Sequence, residues 1–433
     1  MGALIALIVA IVLIILGVPI AFSFAAMILA LTIIYQLDIS MLMGAGFWSI
    51  NSVILMALPL FIMAGYLMQN SGMAESLCKF VDALVGRIRG GMGATLVVTC
   101  GIFGAISGTA TAATAAIGTV LLPHMRERGY PPGYSAALLA ISSLLAILIP
   151  PSITMILYAF VTRQSVAACF LSTVGPGVIL IIIMCILNTI FSRRMPGIRV
   201  EPPINFGAQF KSVVYSGSGA SPALVMPLLI LGGIYGGIFT PTEAAAVAVI
   251  YSIPIGFWVY RGLNLKIFAR SLLDAAVTTG VVLLILLFSL TAGRIFTLEH
   301  IPQMLTTVFL SVSSNKYVIL FMVNLFLIFA GMIMDDVSVT VIISPMLLPL
   351  MLELGVNPLQ LGAIVGTSVV IGANSPPVAP ILYMACRVGT VDLHEVIKPA
   401  FKFMFLGAWP VMLVTTFWPD LSLFLPRLLG YAQ

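Results

Sequence analysis

Apolar runs of about twenty residues recur along the chain between short polar breaks, and ~20 apolar residues are what a helix needs to cross a bilayer. The first half offers such runs near residues 3–16, 19–36, 48–69 and 171–192, and the second near 223–238, 242–260, 272–293 and 403–418. Two stretches of the first half depart from the plain pattern. From Gly91 to about residue 126 the chain is apolar but punctuated by Gly101, Gly104, Gly108 and Gly118. It is too long and too interrupted for one span, which predicts a re-entrant hairpin turning at Ser107-Gly108-Thr109. Residues 134–160 predict a helix broken at Pro150-Pro151. The second half repeats the plan, with a hairpin at about 317–350 and a helix at about 359–386 broken at Pro376-Pro377. Residues 193–222 are the most polar stretch, carrying Arg199, Glu201, Pro202, Pro203 and Lys211 before a Ser-Gly run, and they read as a linker between 1–192 and 223–433.

The repetition extends to single residues. From Pro123 to Pro349 is 226 positions, and at that shift Gly129 falls on Gly355, Pro132 on Pro358 and Pro150-Pro151 on Pro376-Pro377. Phe103, Leu121, Leu122, Met125, Glu127 and Ser142 also meet identical residues, and Ile156-Leu157-Tyr158 meets Ile381-Leu382-Tyr383 after a one-residue slip. Proline and glycine punctuate backbone geometry, so their coincidence reads as an internal duplication. Basic residues give its sense. Lys79/Arg87/Arg89, Arg126/Arg128, Arg193/Arg194/Arg199/Lys211, Arg261/Lys266/Arg270 and Arg387/Lys398/Lys402 cluster in short loops that are expected on the cytoplasmic side. Arg126-Glu127-Arg128 in one copy aligns with Leu352-Glu353-Leu354 in the other. The same element is basic once and free of basic residues once, which predicts an inverted repeat. Arg163, Arg294 and Lys316 stand as exceptions to the bias.

Composition narrows the class. Of 433 residues 61% are hydrophobic and 8% charged, against about 25% charged in soluble domains. This is an all-α polytopic membrane protein without a sizeable soluble domain. The net charge of +5 is spread over loops, so it reports topology rather than a nucleic-acid partner. The N-terminal run from Leu4 to Leu16 lacks a basic flank and a small-residue cleavage site, and is expected to be a retained transmembrane helix. Cys78, Cys100, Cys169, Cys185 and Cys386 have neither metal nor disulfide spacing and read as buried small hydrophobes. His124, His300 and His394 are too far apart for a local metal motif.

Lipid cannot satisfy free backbone N–H and C=O groups, so unwound backbone persists at membrane depth only where protein, water or ligand meets it. Each Pro-Pro removes N–H donors and leaves carbonyls upstream without partners. Those carbonyls, with Ser152 in the first copy and Asn374 and Ser375 in the second, are hard oxygen ligands suited to Na⁺; kinks in packed helices are the alternative. At the first hairpin tip, Ser107-Gly108-Thr109 lets amides and hydroxyls approach an anion closely. The second tip is Asp335-Asp336-Val337-Ser338. Intramembrane carboxylates are costly and usually functional, and Asp335 is placed ahead of Asp336; a helix N-cap at an interface is the competing role. Thr240-Pro241-Thr242-Glu243 has the form of a capping box, so Glu243 reads as a cap rather than a proton carrier. Asp274 near Arg270 reads as a structural pair. No P-loop, metal motif or facing aspartate pair on separate helices is present, so no enzymatic class stands out.

Leu58-Pro59-Leu60-Phe61, Gly86-Arg87-Ile88-Arg89-Gly90-Gly91, Phe103-Gly104-Ala105-Ile106-Ser107-Gly108, Arg128-Gly129-Tyr130, Ile149-Pro150-Pro151-Ser152, Gly237-Ile238-Phe239-Thr240-Pro241-Thr242-Glu243 and Pro376-Pro377 together span nearly the whole chain. In these motifs the sequence resembles the large membrane subunit of tripartite ATP-independent periplasmic (TRAP) transporters, the DctM-like family. The resemblance implies an elevator-type secondary transporter of the bacterial inner membrane, driven by a Na⁺ gradient and without another cofactor. It would import an organic anion such as a carboxylate, sugar acid or sulfonate. It also implies two partners, a small four-helix membrane subunit and a periplasmic substrate-binding protein. By the same resemblance Ser107, Thr109, Ser152 and Asp335 face substrate. The Na⁺ sites involve Ser107, Gly108, Ile149 and Pro150, and Asp335, Ser338, Asn374, Ser375 and Pro376. Ala113-Thr114 stands where many members carry an acidic residue, a departure that bears on the first copy's electrostatics. A stand-alone anion symporter and an intramembrane hydrolase are the alternatives.

Overall fold

The computed structural model describes residues 2–86, 88–195, 197–199, 219–376 and 378–431. The linker expected at 193–222 falls largely outside them, as do Arg87 and Pro377. Every regular element among the described residues is a helix. Among the described residues seven helices are long and apolar enough to cross a membrane, and the pair Pro132–Leu148 and Ile153–Thr162, bent by 43°, makes an eighth if it is one span.

The hydropathy pattern locates the long elements closely. Gly2–Ile15, Ile20–Tyr35, Val166–Arg193, Ser221–Tyr235 and Pro241–Pro254 lie where the apolar runs place them. Leu265–Leu298 is longer than its run, at 34 residues. At 1.5 Å per residue it reaches about 51 Å, against ~30 Å of hydrocarbon. The stretch near 48–69 is divided: one helix ends at Ile50, and another, Ala57–Asn70, follows a short helical turn. Thr240 and Glu243 form the expected capping box, with the Thr240 N–H donating to Glu243 Oε2 at 2.8 Å and the Glu243 N–H donating to Thr240 Oγ1 at 3.3 Å. The Arg270 and Asp274 side chains stand 4.0 Å apart on an exposed face.

Both expected helix–turn–helix units are present. Gly91–Ser107 stops because Gly108 turns left-handed at φ 64°, and Ala110–Glu127 starts with Thr109 as its cap. Lys316–Ile333 stops at an extended Met334, and Asp335 caps the helical stretch that continues through a π-helical turn, Val339–Ile343, into Ser344–Glu353. Such π turns occur often at functional sites. The two broken helices lie in the core. Every residue from Gly133 to Leu148 is buried, as is every residue from Leu359 to Ile371. Around them pack Gly91–Ser107, Val166–Arg193 and Lys316–Ile333. In a second group, Pro241–Pro254 and Leu265–Leu298 each pack on Ala57–Asn70, and Leu265–Leu298 is tied to it by hydrogen bonds between the Tyr66 and Thr278 hydroxyls at 2.8 Å and from the Asn70 amide to the Ser271 hydroxyl at 2.8 Å.

Candidate functional site

The first helix break spans Ile149–Ser152. Leu145–Leu148 ends when Ile149 turns extended, and Pro150 and Pro151 offer no N–H to the carbonyls four residues earlier, those of Ala146 and Ile147. Ser152 restarts the chain as an N-cap, its hydroxyl accepting from the Met155 N–H at 3.4 Å. The first hairpin tip is docked on this break. The Ile153 N–H donates to Gly108 C=O at 3.2 Å. A Cβ at Gly108 would stand 2.9 Å from the Pro151 carbonyl oxygen, so the approach requires glycine twice over, by space and by φ. Thr109 caps its own helix by accepting from the Ala112 N–H at 3.3 Å. Ser107 lies against Gly65 of Ala57–Asn70, where a Cβ would come within 3.3 Å of Ser107 Cα.

The second copy builds the same junction with other residues. The Val378 N–H donates to Met332 C=O at 3.3 Å, docking the second tip on the second break. Upstream, a Cβ at Gly372 would stand 2.7 Å from Gly331 Cα, so two backbones touch directly. The equivalent place in the first copy is Gly104 against Ala146, where a Cβ would stand 2.6 Å from the alanine Cα.

Along the two broken helices, three more side chains tie the copies to one another. The Thr154 hydroxyl donates to Asp336 Oδ2 at 2.8 Å, the Asn374 amide donates to Ala140 C=O at 3.4 Å, and the Tyr158 hydroxyl donates to Pro358 C=O at 2.5 Å. Both hairpin tips and both breaks are therefore linked in one region rich in oxygen. Asp335 and Asp336, adjacent in sequence, differ in placement. Asp335 accepts from the N–H and hydroxyl of Ser338 and caps its own helix. Asp336 reaches across to the first broken helix. Thr154 carries no signal in the sequence pattern, because its partner is 182 residues away.

Several oxygens stay uncommitted. Asn374 Oδ1 is buried without a hydrogen-bond partner among the described residues, as are the hydroxyls of Ser142, Thr340 and Ser344. Ser375 is committed, donating back to Ile371 C=O at 2.8 Å. The arrangement can hold a hard cation by carbonyl, hydroxyl and carboxylate oxygens, and it can meet an anion with hydroxyls and the N-termini of restarted helices. No group of three or more His, Cys, Asp or Glu side chains able to hold a metal occurs among the described residues. Cys78, Cys100, Cys169 and Cys386 are buried free thiols, and Cys185 is partly buried.

Comparison with known proteins agrees with the fold and the motifs. The family model "Tripartite ATP-independent periplasmic transporter, DctM component" matches residues 7–421. The chain is 31% identical to the sialic acid TRAP transporter large permease protein SiaM of Vibrio cholerae, over 96% of this chain and 97% of that one. It is 33% identical to the C4-dicarboxylate TRAP transporter large permease protein DctM of Pseudomonas aeruginosa, over 87% of each. The crystal structure of the Alcanivorax borkumensis YdaH transporter shares the fold, with a TM-score of 0.60 and 13% identity over 87% of each chain. These relatives are transporter permeases, not enzymes. A family model that covers nearly the whole chain, and relatives similar along most of their length, place this multi-pass membrane protein in the DctM component family of TRAP transporters.

Proposed function

We propose that the chain is the large membrane subunit of a Na⁺-coupled importer of an organic anion, a carboxylate, sugar acid or sulfonate. A periplasmic binding protein delivers the anion, a small membrane subunit braces the chain in the bacterial inner membrane, and the site crosses the bilayer by an elevator movement. The observation that carries this reading is the junction of two hairpin tips with two helix breaks, tied by Thr154 and Asp336. Such breaks at membrane depth are where substrate and coupling ions bind in transporters built of inverted repeats. The basic loops support the inverted sense of the repeat, and the TRAP relatives named above are permeases for sialic acid and C4-dicarboxylates, both organic anions.

In this mechanism the hydroxyls of Ser107, Thr109 and Ser152 meet the anion. Na⁺ binds backbone at Ser107-Gly108 and Ile149-Pro150 in the first copy. In the second it binds at Asp335 and Ser338 with Asn374–Pro376. Na⁺ offsets the charge of the anion, so the loaded site crosses the hydrocarbon at lower electrostatic cost than the half-loaded one. Asp336 acts as a positioning residue by holding the second tip to the first broken helix.

The test is uptake into proteoliposomes. Transport is expected only when a Na⁺ gradient, the small subunit and the loaded binding protein are present together, and Ser107→Ala is expected to lower it. Uptake without binding protein would identify a stand-alone symporter. Uptake indifferent to Na⁺, or equal in Ser107→Ala and Asp335→Asn variants, would remove the ion sites as assigned.

A further inference from the structure

Far from the helix breaks, the structure has a cleft of about 720 Å³ at the start of the first broken helix. It is lined by segments distant in sequence: Pro131–Tyr134, the end of Val166–Arg193 with Arg194, and Glu395–Leu406. Along the helix from Tyr134 to Ile149 the separation from the break is roughly 22 Å. The cleft has two chemically distinct parts. Arg194, Lys398 and Lys402 bring three exposed cations to it, opposed by a single carboxylate, Glu395. None of the three cations joins an ion pair among the described residues. The rest is apolar. Phe403 packs on Tyr134 and Phe191 with ring centroids 5.3 and 5.5 Å apart, and Leu406 remains 49% exposed at its edge. Next to it Phe405 is 58% exposed on the same π-helical turn, Met404–Ala408.

We propose that this cleft binds an anionic phospholipid of the cytoplasmic leaflet. Its phosphodiester is held by Lys398, Lys402 and Arg194, and an acyl chain lies along Phe191 and Leu406. Charge complementarity selects the headgroup, because three cations without an ion pair among the described residues, against one lining carboxylate, favour an anion. The apolar half selects a lipid over a free anion, since an inorganic phosphate would gain nothing from the aromatic floor or the exposed Leu406. The level in the bilayer fits as well. Arg194 caps the end of Val166–Arg193, and Lys398 and Lys402 lie on the helix Leu393–Phe403; the charge bias assigns both basic clusters to the cytoplasmic side, where basic pockets between membrane helices meet anionic headgroups. The site anchors the base of the first broken helix without touching the oxygen-rich junction at its far end.

The test measures lipid retention by the delipidated full chain in detergent, by native mass spectrometry, with phosphatidylglycerol and phosphatidylcholine titrated separately. Phosphatidylglycerol is expected to bind at one saturable site in preference to phosphatidylcholine. Each juxtamembrane cation contributes ~1 kcal/mol, so the Lys398→Gln/Lys402→Gln variant is expected to weaken phosphatidylglycerol about thirty-fold. Lys398→Arg/Lys402→Arg should retain it. Equal affinity for the two lipids overturns the proposal. So does an equal loss in Arg261→Gln/Lys266→Gln, which removes two exposed cations elsewhere and would reveal generic surface charge. Displacement of the lipid by glycerol phosphate would reassign the cleft to soluble anions. If the glutamine variant fails to fold, the competition between the two lipids on the unaltered chain decides.

Discussion

The two broken helices begin from the same punctuation and end differently. In the first, Pro150-Pro151 is followed at once by Ser152, which caps the restarted helix, so the break is short and Ile153–Ala159 is buried on every side. In the second, Val378 and Ala379 follow, and neither can cap. The helix restarts only at Pro380, whose missing N–H is no loss at a first turn, after Ala379 has taken a left-handed φ of 37°. The second lower arm is amphipathic: Ile381, Leu382, Ala385 and Cys386 are buried while Tyr383 is 46% exposed. Its counterpart Tyr158 is fully buried and bonded to Pro358. One capping residue thus separates a sealed arm from a surface arm, and the duplication does not make the two sides of the molecule equivalent.

Substitutions can break this comparison at graded cost. The largest effect is expected where backbones touch. Gly372→Leu would force Gly331 aside and is expected to destabilise the protein by about 3 kcal/mol, read as a lowered thermal midpoint, whereas Gly293→Leu enters open space and should be silent. Next comes the tie between copies. Asp336→Asn and Thr154→Val, alone and combined in a double-mutant cycle, are expected to show a coupling of about 2 kcal/mol. Asp335→Asn with the same Thr154→Val should show none. Removing a single hydroxyl sharpens the contrast between arms. Tyr158→Phe and Ser152→Ala should each cost about 1 kcal/mol, while Tyr383→Phe should stay within ~0.5 kcal/mol of the unaltered chain. The smallest effect has the opposite sign: Ala379→Gly relieves the left-handed residue and should stabilise by about 0.5 kcal/mol.

Much of the fold is legible in the sequence because membrane helices advertise themselves by length and hydropathy, and because Pro-Pro and Gly act on the backbone where they stand. On these grounds the sequence points to helix–turn–helix units around Gly108 and Asp335 and to a helix that stops before Pro150, and helices end at those places. Ile39–Ile50, Met73–Val85, Ile301–Val312 and Asp420–Leu428 leave no clear mark in the hydropathy pattern. They are shorter than a span, and Met73–Val85 carries charge on one face, so hydropathy alone dilutes them into loops. In the site, Ser107, Gly108, Ser152 and Asp335 could be singled out by their position at tips and breaks. The pairing of Thr154 with Asp336, and of Asn374 with Ala140, could not, because both are decided by packing between distant segments. Nor does local sequence reveal that Arg194 and Lys398 share a cleft.

The cross-links from Thr154, Tyr158 and Asn374 carry a consequence for biogenesis. Each half supplies a polar group whose partner is synthesised in the other. Until the C-terminal half arrives, Thr154 and Tyr158 lack the partners they hold in the finished fold, which favours a loosely packed intermediate awaiting its complement. Maturation of the chain in the membrane is therefore expected to be a late, concerted closure of the two halves rather than the stacking of one finished half upon another.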